Sequence, residues 1–207
     1  MNRQEPAAMP AVQFWYEFAS TYSYPAAIRI DEAAAKYGLT VNWQPFLLGP
    51  VFKALGWNTS PFNIYPEKGR YMWRDLERIC AKQDLPPMRK PDPFPQNSLK
   101  AARLALCLPD GEPRARFSQA VYVAQFAWLL PIDDDQVLAD ILIRLGHPAD
   151  ELLAKSIEPE TKHALKSQVA RAQQLGIFGA PSFITSDAEV FWGNDRLEDA
   201  LSWQAKL

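Results

Sequence analysis

Residues 12–38 read VQFWYEFASTYSYPAAIRIDEAAAKYG, and a change of period inside this stretch decides the fold class. Val12, Phe14, Tyr16 and Phe18 alternate with Gln13, Trp15 and Glu17, the two-residue period of a strand with one strongly apolar face. A short link, Ala19-Ser20-Thr21-Tyr22-Ser23, leads into an alanine-rich run with Pro25 near its first turn and Gly38 just past its end. That punctuation marks a helix. Leu39 to Phe46 alternates again, with Leu39, Val41 and Trp43 on one side, and closes a β-α-β unit whose crossover is expected to be right-handed.

Outward from this unit the pattern changes. Leu47 to Glu67 holds Gly49, Pro50, Gly56, Pro61 and Pro66 and reads as an ordered, irregular excursion at a subdomain junction. Helical periodicity follows at Met72, Leu76, Ile79 and Cys80, resumes after the proline-rich loop Pro86–Pro95 from Ser98 to Leu108, and continues through Phe117, Val121, Ala124 and Trp128. Three more helices are expected, around Val137–Leu145 before Gly146, over Pro148–Ile157, and over Pro159–Leu175 before Gly176. Beyond Gly176 strands return, Phe178–Thr185 and Glu189–Trp192, joined by the turn Ser186-Asp187-Ala188. A last helix starts at Asn194 or Asp195, where Asp195-x-x-Glu198 has the form of a capping box. The order is an α/β one, β-α-β, helices, β-β-α, matching a thioredoxin-like core interrupted by a large all-helical insertion. The expected division is 11–66 and 176–207 for the two parts of the core and 67–175 for the inserted helical domain.

Composition narrows the partners. The 207 residues include 22 Lys plus Arg against 24 Asp plus Glu, for a net charge of −2, and no basic run offers a footprint for nucleic acid. With 48% hydrophobic residues and seven Trp, the profile is globular with a dense aromatic core or pocket. The stretch MNRQEPAAMPAVQF lacks an apolar signal-peptide core, and no apolar run reaches the ~18 residues a membrane span needs. A cytoplasmic protein with no membrane partner is expected. Cys80 and Cys107 fall in amphipathic helical patterns without a CxxC pair and are expected to be buried thiols; His147 and His163 have no ligand at metal spacing, so no metal site is expected.

Chemistry points to three segments and one side chain. Ser20-Thr21-Tyr22-Ser23 lies between a buried strand and a helix N-terminus, where orphan N–H groups and the helix dipole favour negative charge; either serine could equally be a plain N-cap. In Gly176-Ile-Phe-Gly-Ala-Pro-Ser-Phe-Ile184, Pro181 at a strand start suggests an edge start, a bulge or a cis bond. In Phe191-Trp192-Gly193-Asn194-Asp195-Arg196 a carboxylate stands at a helix start, where it can cap its own helix or hold an ammonium. Asn97, just before a helix, has the ordinary role of opening that helix. Trp15, Tyr22, Tyr24, Trp57 and Tyr71 are aromatic candidates for a pocket, without individual assignment.

Four stretches in this order, FWYEFASTYSYPAA, WNTSPFNIYPEKGRYMWRDLER, PDPFPQNSLKAARLAL and LGIFGAPSFITSDAEVFWGNDRLE, span nearly the full chain. They resemble the kappa-class glutathione transferases and, more closely, the 2-hydroxychromene-2-carboxylate isomerases, a DsbA-like branch of the thioredoxin superfamily that uses glutathione and has serine in place of the redox cysteine. By this resemblance Ser20 is the catalytic serine that contacts the glutathione sulfur, and Ser23 takes the second position of the ancestral redox pair. Ala180, before a cis Pro181, pairs with the cysteinyl backbone, and Asn194, Asp195 and Arg196 grip the γ-glutamyl end. Asn58 and Lys68 fall among glutathione contacts near the domain junction, and Asn97 faces the substrate pocket. Thr21 stands where the family commonly has proline in Ser-Pro-Tyr-Ser.

The resemblance implies a homodimeric, glutathione-dependent isomerase of a chromene or aromatic carboxylate. A kappa-like glutathione transferase or peroxidase is the near rival. A cysteine-less DsbA-like module that binds peptides along the proline groove is the rival of another class.

Overall fold

The computed structural model describes residues 9–207; the first eight residues of the N-terminal stretch read above lie outside the described residues. The first unit is β1 (Ala11–Tyr16), α1 (Ser23–Ala35) and β2 (Thr40–Pro45). β1 pairs in parallel with β2, from Ala11 opposite Thr40 to Tyr16 opposite Pro45. α1 ends where Gly38 takes φ +69°, a conformation that a side chain disfavours.

The excursion from 47 to 67 is more regular than its composition suggests. It forms α2 (Leu48–Ala54) and the single turn α3 (Pro61–Ile64), and α4 (Pro66–Lys82) begins inside it. The prolines do not interrupt these helices because Pro61 and Pro66 stand in first turns, where the missing N–H has no intrahelical acceptor to lose. Ser60 completes the start of α3 by accepting from the Phe62 N–H at 3.3 Å.

The helical run follows as α5 (Leu99–Cys107), α6 (Glu112–Phe126), α7 (Asp135–Arg144), α8 (Ala149–Ser156) and α9 (Pro159–Gln174). Trp128 lies beyond the end of α6 and is exposed, and Cys107 is half-buried with its sulfur 3.6 Å from Thr161 Oγ1, whereas Cys80 is buried as expected. The chain closes with β3 (Ser182–Ile184), β4 (Val190–Trp192), a 3-10 turn over Asn194–Arg196, and α10 (Leu197–Gln204). β3 is shorter than the expected Phe178–Thr185, since residues 177–181 leave the ladder. The sheet order is β2-β1-β3-β4, with β3 antiparallel to both neighbours.

Both faces of the inner strand β1 are covered. Val12, Phe14 and Tyr16 enter one core with α1, α4–α8 and α10, while Trp15 enters a second core with Phe46, Val51, Val169, Ala172 and Ile184. The alternation in β1 is therefore between two buried faces, and Trp15 belongs to the second. Arg114 stitches the insertion to the sheet by donating to the carbonyls of Trp43, Ala105 and Leu108 at 2.8–2.9 Å. Among the described residues, no helix is long and apolar enough to cross a membrane, and no group of three or more His, Cys, Asp or Glu is placed to hold a metal.

Candidate active site

The end of β1, the loop before β3 and the segment after β4 meet at one end of the sheet, facing α2–α4 and the loop before α5. Between them opens a cleft of about 1720 Å³. Of the residues singled out above, Ser20, Asn58, Lys68, Asn97, Ala180, Asn194, Asp195 and Arg196 line it.

The turn before α1 is locked from several sides. The Ser20 N–H donates to the Glu17 carbonyl at 2.9 Å, and Ser20 Oγ donates to the Ala180 carbonyl at 2.8 Å. The N-cap of α1 is Tyr22, with no side-chain cap, so neither serine serves as the cap. Thr21 is buried and directs Oγ1 to Met72 Sδ of α4 at 2.9 Å, which ties the turn to the helices that follow. Tyr22 donates to Asp75 Oδ2 at 3.0 Å and packs on Phe62. Burial first, then the hydrogen bond to Asp75 and its charge, push the Tyr22 hydroxyl well above the ordinary tyrosine range, so it remains a donor.

Ser23 is a different case. It is 0% exposed, does not line the cleft, and its hydroxyl, near Tyr122, has no partner in hydrogen-bonding geometry among the described residues. The structure does not bring it to the other site residues, because the first turn of α1 carries it into the core.

Beside the turn before α1, the Ala180-Pro181 bond is cis, as are Asp92-Pro93 and Phe94-Pro95 in the proline-rich loop. The Pro181 carbonyl accepts from the Gly193 N–H at 2.9 Å, which fixes the two sequence segments side by side. Asn194 is buried, and its Oδ1 and backbone oxygen each accept from Arg29 of α1 at 3.2 Å. The expected capping box is absent: Glu198 pairs with Arg29, and Asp195 lies in the 3-10 turn with an exposed carboxylate whose neighbour is Arg196, 3.6 Å away. Arg196 also pairs with Asp199 at 3.2 Å. Asp195 is therefore open to a ligand and is not tied to its own helix.

On the third side Asn58 and Lys68 are exposed on the lip, with Lys68 Nζ 4.9 Å from the centre of the Tyr65 ring. Asn97 both lines the cleft and opens α5, its Oδ1 accepting from the Leu99 N–H at 3.1 Å. Gln96 anchors this loop by accepting from the Ile132 N–H at 2.9 Å.

A family model described as the DSBA-like thioredoxin domain matches residues 11–202. The chain belongs to the DsbA-like thioredoxin family. Within that family it is 30% identical over 192 residues to a 2-hydroxychromene-2-carboxylate isomerase of Sphingobium xenophagum, covering 90% of this chain and 94% of that protein. It is 26% identical to glutathione S-transferase kappa 1 of Caenorhabditis elegans, covering 91% and 88%. A solved 2-hydroxychromene-2-carboxylate isomerase superimposes with a TM-score of 0.85 at 25% identity, covering 95% of each chain.

Three features of this DsbA-like cleft escaped the sequence reading. Phe178 and Trp192 pack with their ring centres 4.9 Å apart and their planes tilted by 60°, half exposed on the wall beside Ala180. Gly179 permits this packing, since a Cβ there would lie 2.4 Å from Trp192 Nε1. Glu17 is buried in the cleft wall and accepts a hydrogen bond from Ser98 Oγ. Arg29 holds Asn194 from outside the cleft. A readable signal existed for one of these: Glu17 follows Trp15 on the face opposite Tyr16 and Phe18, and a charge next in line after a tryptophan invites the question of what it meets. Among the pocket aromatics, Tyr22, Trp57 and Tyr71 line the cleft, whereas Trp15 and Tyr24 are fully buried.

Proposed function

We propose that this DsbA-like chain is a glutathione-dependent isomerase of a chromene or aromatic carboxylate. The observation that carries this reading is the convergence, in one cleft, of the Ser20 hydroxyl at the start of α1, the Ala180 backbone before a cis proline, and the open Asp195 carboxylate. The site's own features fit glutathione. Gly193 takes φ +110°, a conformation that side chains disfavour, and Asp195 Oδ1 lies 2.6 Å from where its Cβ would be, so the carboxylate folds over bare backbone at the rim.

In this reading Asp195 receives the α-ammonium of the γ-glutamyl group, with Asn194 and Arg196 beside it, and Ala180 presents its backbone to the cysteinyl residue. Asn58 and Lys68 hold the far end from the α2–α4 side. Glutathione bound there supplies a thiolate that adds reversibly to an electron-poor carbon and is regenerated. Ser20 turns its proton from the Ala180 carbonyl to the sulfur. A helix-end field of up to about 1 kcal/mol and a charge-assisted hydrogen bond of about 1.5–3 kcal/mol suffice to favour the thiolate near neutral pH, since a tenfold change in ionisation takes about 1.4 kcal/mol. Phe178 and Trp192 offer flat faces to an aromatic ring, and Asn97 on the opposite lip offers an amide to its carboxylate.

The test is product analysis with a chromene carboxylate and catalytic glutathione. Isomerisation leaves total glutathione constant over many turnovers. The second reading, a kappa-like transferase, is favoured by the similarity to the nematode kappa enzyme, and it predicts stoichiometric loss of glutathione. Absence of glutathione binding by calorimetry would reject both.

A further inference from the structure

One buried ionisable group in the cleft has no part in the scheme above. Glu17 is 5% exposed, lines the same cleft as Ser20, and shares its turn, the Ser20 N–H donating to the Glu17 backbone oxygen at 2.9 Å. Its carboxyl accepts from Ser98 Oγ, in the loop that also carries Asn97. A carboxyl buried without a cationic partner is costly to a fold when ionised, and no basic side chain pairs with this one among the described residues.

We propose that Glu17 is the proton-holding residue of the cleft, taking up the proton that a thiol loses when it ionises beside Ser20. The S–H bond breaks, its electron pair stays on sulfur, and the proton forms an O–H bond to a Glu17 carboxyl oxygen; the reverse transfer restores the thiol before release. No proton need leave the cleft. The inference rests on the glutathione reading above.

The surroundings suit the task. Burial pushes the Glu17 carboxyl up to about 7, against opposing hydrogen bonds from Ser98 and the Ala19 backbone. The titratable neighbours on the core side are Tyr122 of α6, which donates to the Glu17 backbone oxygen at 2.9 Å, and Tyr16 of β1, bonded to Ser118 at 2.7 Å. Burial holds both neutral. The charged groups of the cleft are Lys53 of α2, Glu67, Lys68 and Asp75 of α4, and Asp195 and Arg196 after β4.

Glutathione binding measured calorimetrically in buffers of different ionisation enthalpy counts the protons released, with no turnover required. At about pH 6 Glu17 already holds a proton, so a thiol bound as thiolate should release close to one proton to buffer. At about pH 8 Glu17 is ionised before binding, and the negative charge of the adjacent thiolate raises the carboxyl's hold on a proton, so Glu17 takes up the thiol's proton and release should fall well below one. Glu17→Gln, which keeps the shape and an acceptor for Ser98, should release close to one proton at both pH values. Ser98→Ala, which removes a hydrogen bond favouring the ionised carboxyl, should move the crossover to higher pH and serves if Glu17→Gln fails to fold. Equal release at both pH values in the wild type overturns the role of Glu17 while leaving glutathione binding intact. No binding heat in the wild type overturns the glutathione reading, and the proton-holding role with it.

Discussion

At the scale of single residues, the two serines that bracket the active turn separate by where one helical turn takes them. Ser20 stands at the cleft on the Ala180 carbonyl, while Ser23 is enclosed beside Tyr122. Ser20→Ala is expected to remove the ultraviolet absorbance of bound thiolate at neutral pH and to lower turnover far more than glutathione affinity, the pattern of a group acting on the reacting atom. Ser23→Ala removes a buried hydroxyl that has no partner in hydrogen-bonding geometry among the described residues, so stability should change by less than about 1 kcal/mol and the thiolate signal should persist. Turnover and thiolate absorbance that survive Ser20→Ala would make Ser20 a structural residue alone. Glu17 adds a pH signature of its own. Its folded carboxyl titrates near 7, above the ordinary 4.5, so the folded state binds that proton more tightly than the unfolded chain. Its contribution to stability is fully present below about 4.5 and is lost as pH rises through about 7, a loss of about 3 kcal/mol at most. Glu17→Gln should therefore raise the unfolding free energy relative to wild type at pH 8 more than at pH 5, as read by denaturant titration. A pH-independent difference would place the carboxyl in contact with solvent.

At the scale of elements, what could be read from the chain divides by the range of the interaction. The helix before Gly38 and the helices closed by Gly146 and Gly176 are local patterns that stand where period and punctuation put them, and the strand expected over Val12–Phe18 forms over Ala11–Tyr16, its last two residues turning toward α1. The short helices α2 and α3 were hidden because glycine and proline signal a break, although Pro61 and Pro66 sit in first turns where they favour a helix. Asp195 and Glu198 have capping-box spacing, yet Arg29, more than 160 positions earlier, takes Glu198 and no local rule anticipates it. The same holds for Phe178 and Trp192, which meet only after β3 and β4 pair and Gly179 leaves the space. Gly179→Ala places a Cβ 2.4 Å from the Trp192 ring nitrogen. Trp192 is half exposed and can swing outward, so the cost should sit near the low end of about 1–3 kcal/mol. The aromatic wall would then be lost: KM for an aromatic carboxylate should rise several-fold while glutathione affinity holds. An unchanged KM would separate the Phe178–Trp192 pair from substrate binding.

At the scale of the whole molecule, the cleft borrows one side from each part of a continuous core. Phe14, Tyr16 and Phe18 of the strand segment pack in the same cluster as Met72, Leu76, Phe117 and Tyr122 of the helices, and Thr21 and Tyr22 carry the active turn to Met72 and Asp75. A ligand that spans Asp195 on one wall and Asn58 and Lys68 on the other therefore stabilises both parts together. Glutathione at about 100 times its dissociation constant should add about 2.7 kcal/mol. For a chain of this size that is a rise of roughly 5–10 °C in the unfolding midpoint, at about 2–4 °C per kcal/mol, within a single transition because the core is shared. Asp195→Asn removes the carboxylate proposed to hold the α-ammonium without touching the core, since its side chain is exposed. The variant should keep the ligand-free midpoint of the wild type but need a higher glutathione concentration for the same rise, while its affinity for a small thiol such as 2-mercaptoethanol, which has no ammonium, is unaltered. Equal losses for both thiols would indicate a damaged fold. A glutathione shift identical to that of the wild type would remove Asp195 from the γ-glutamyl site.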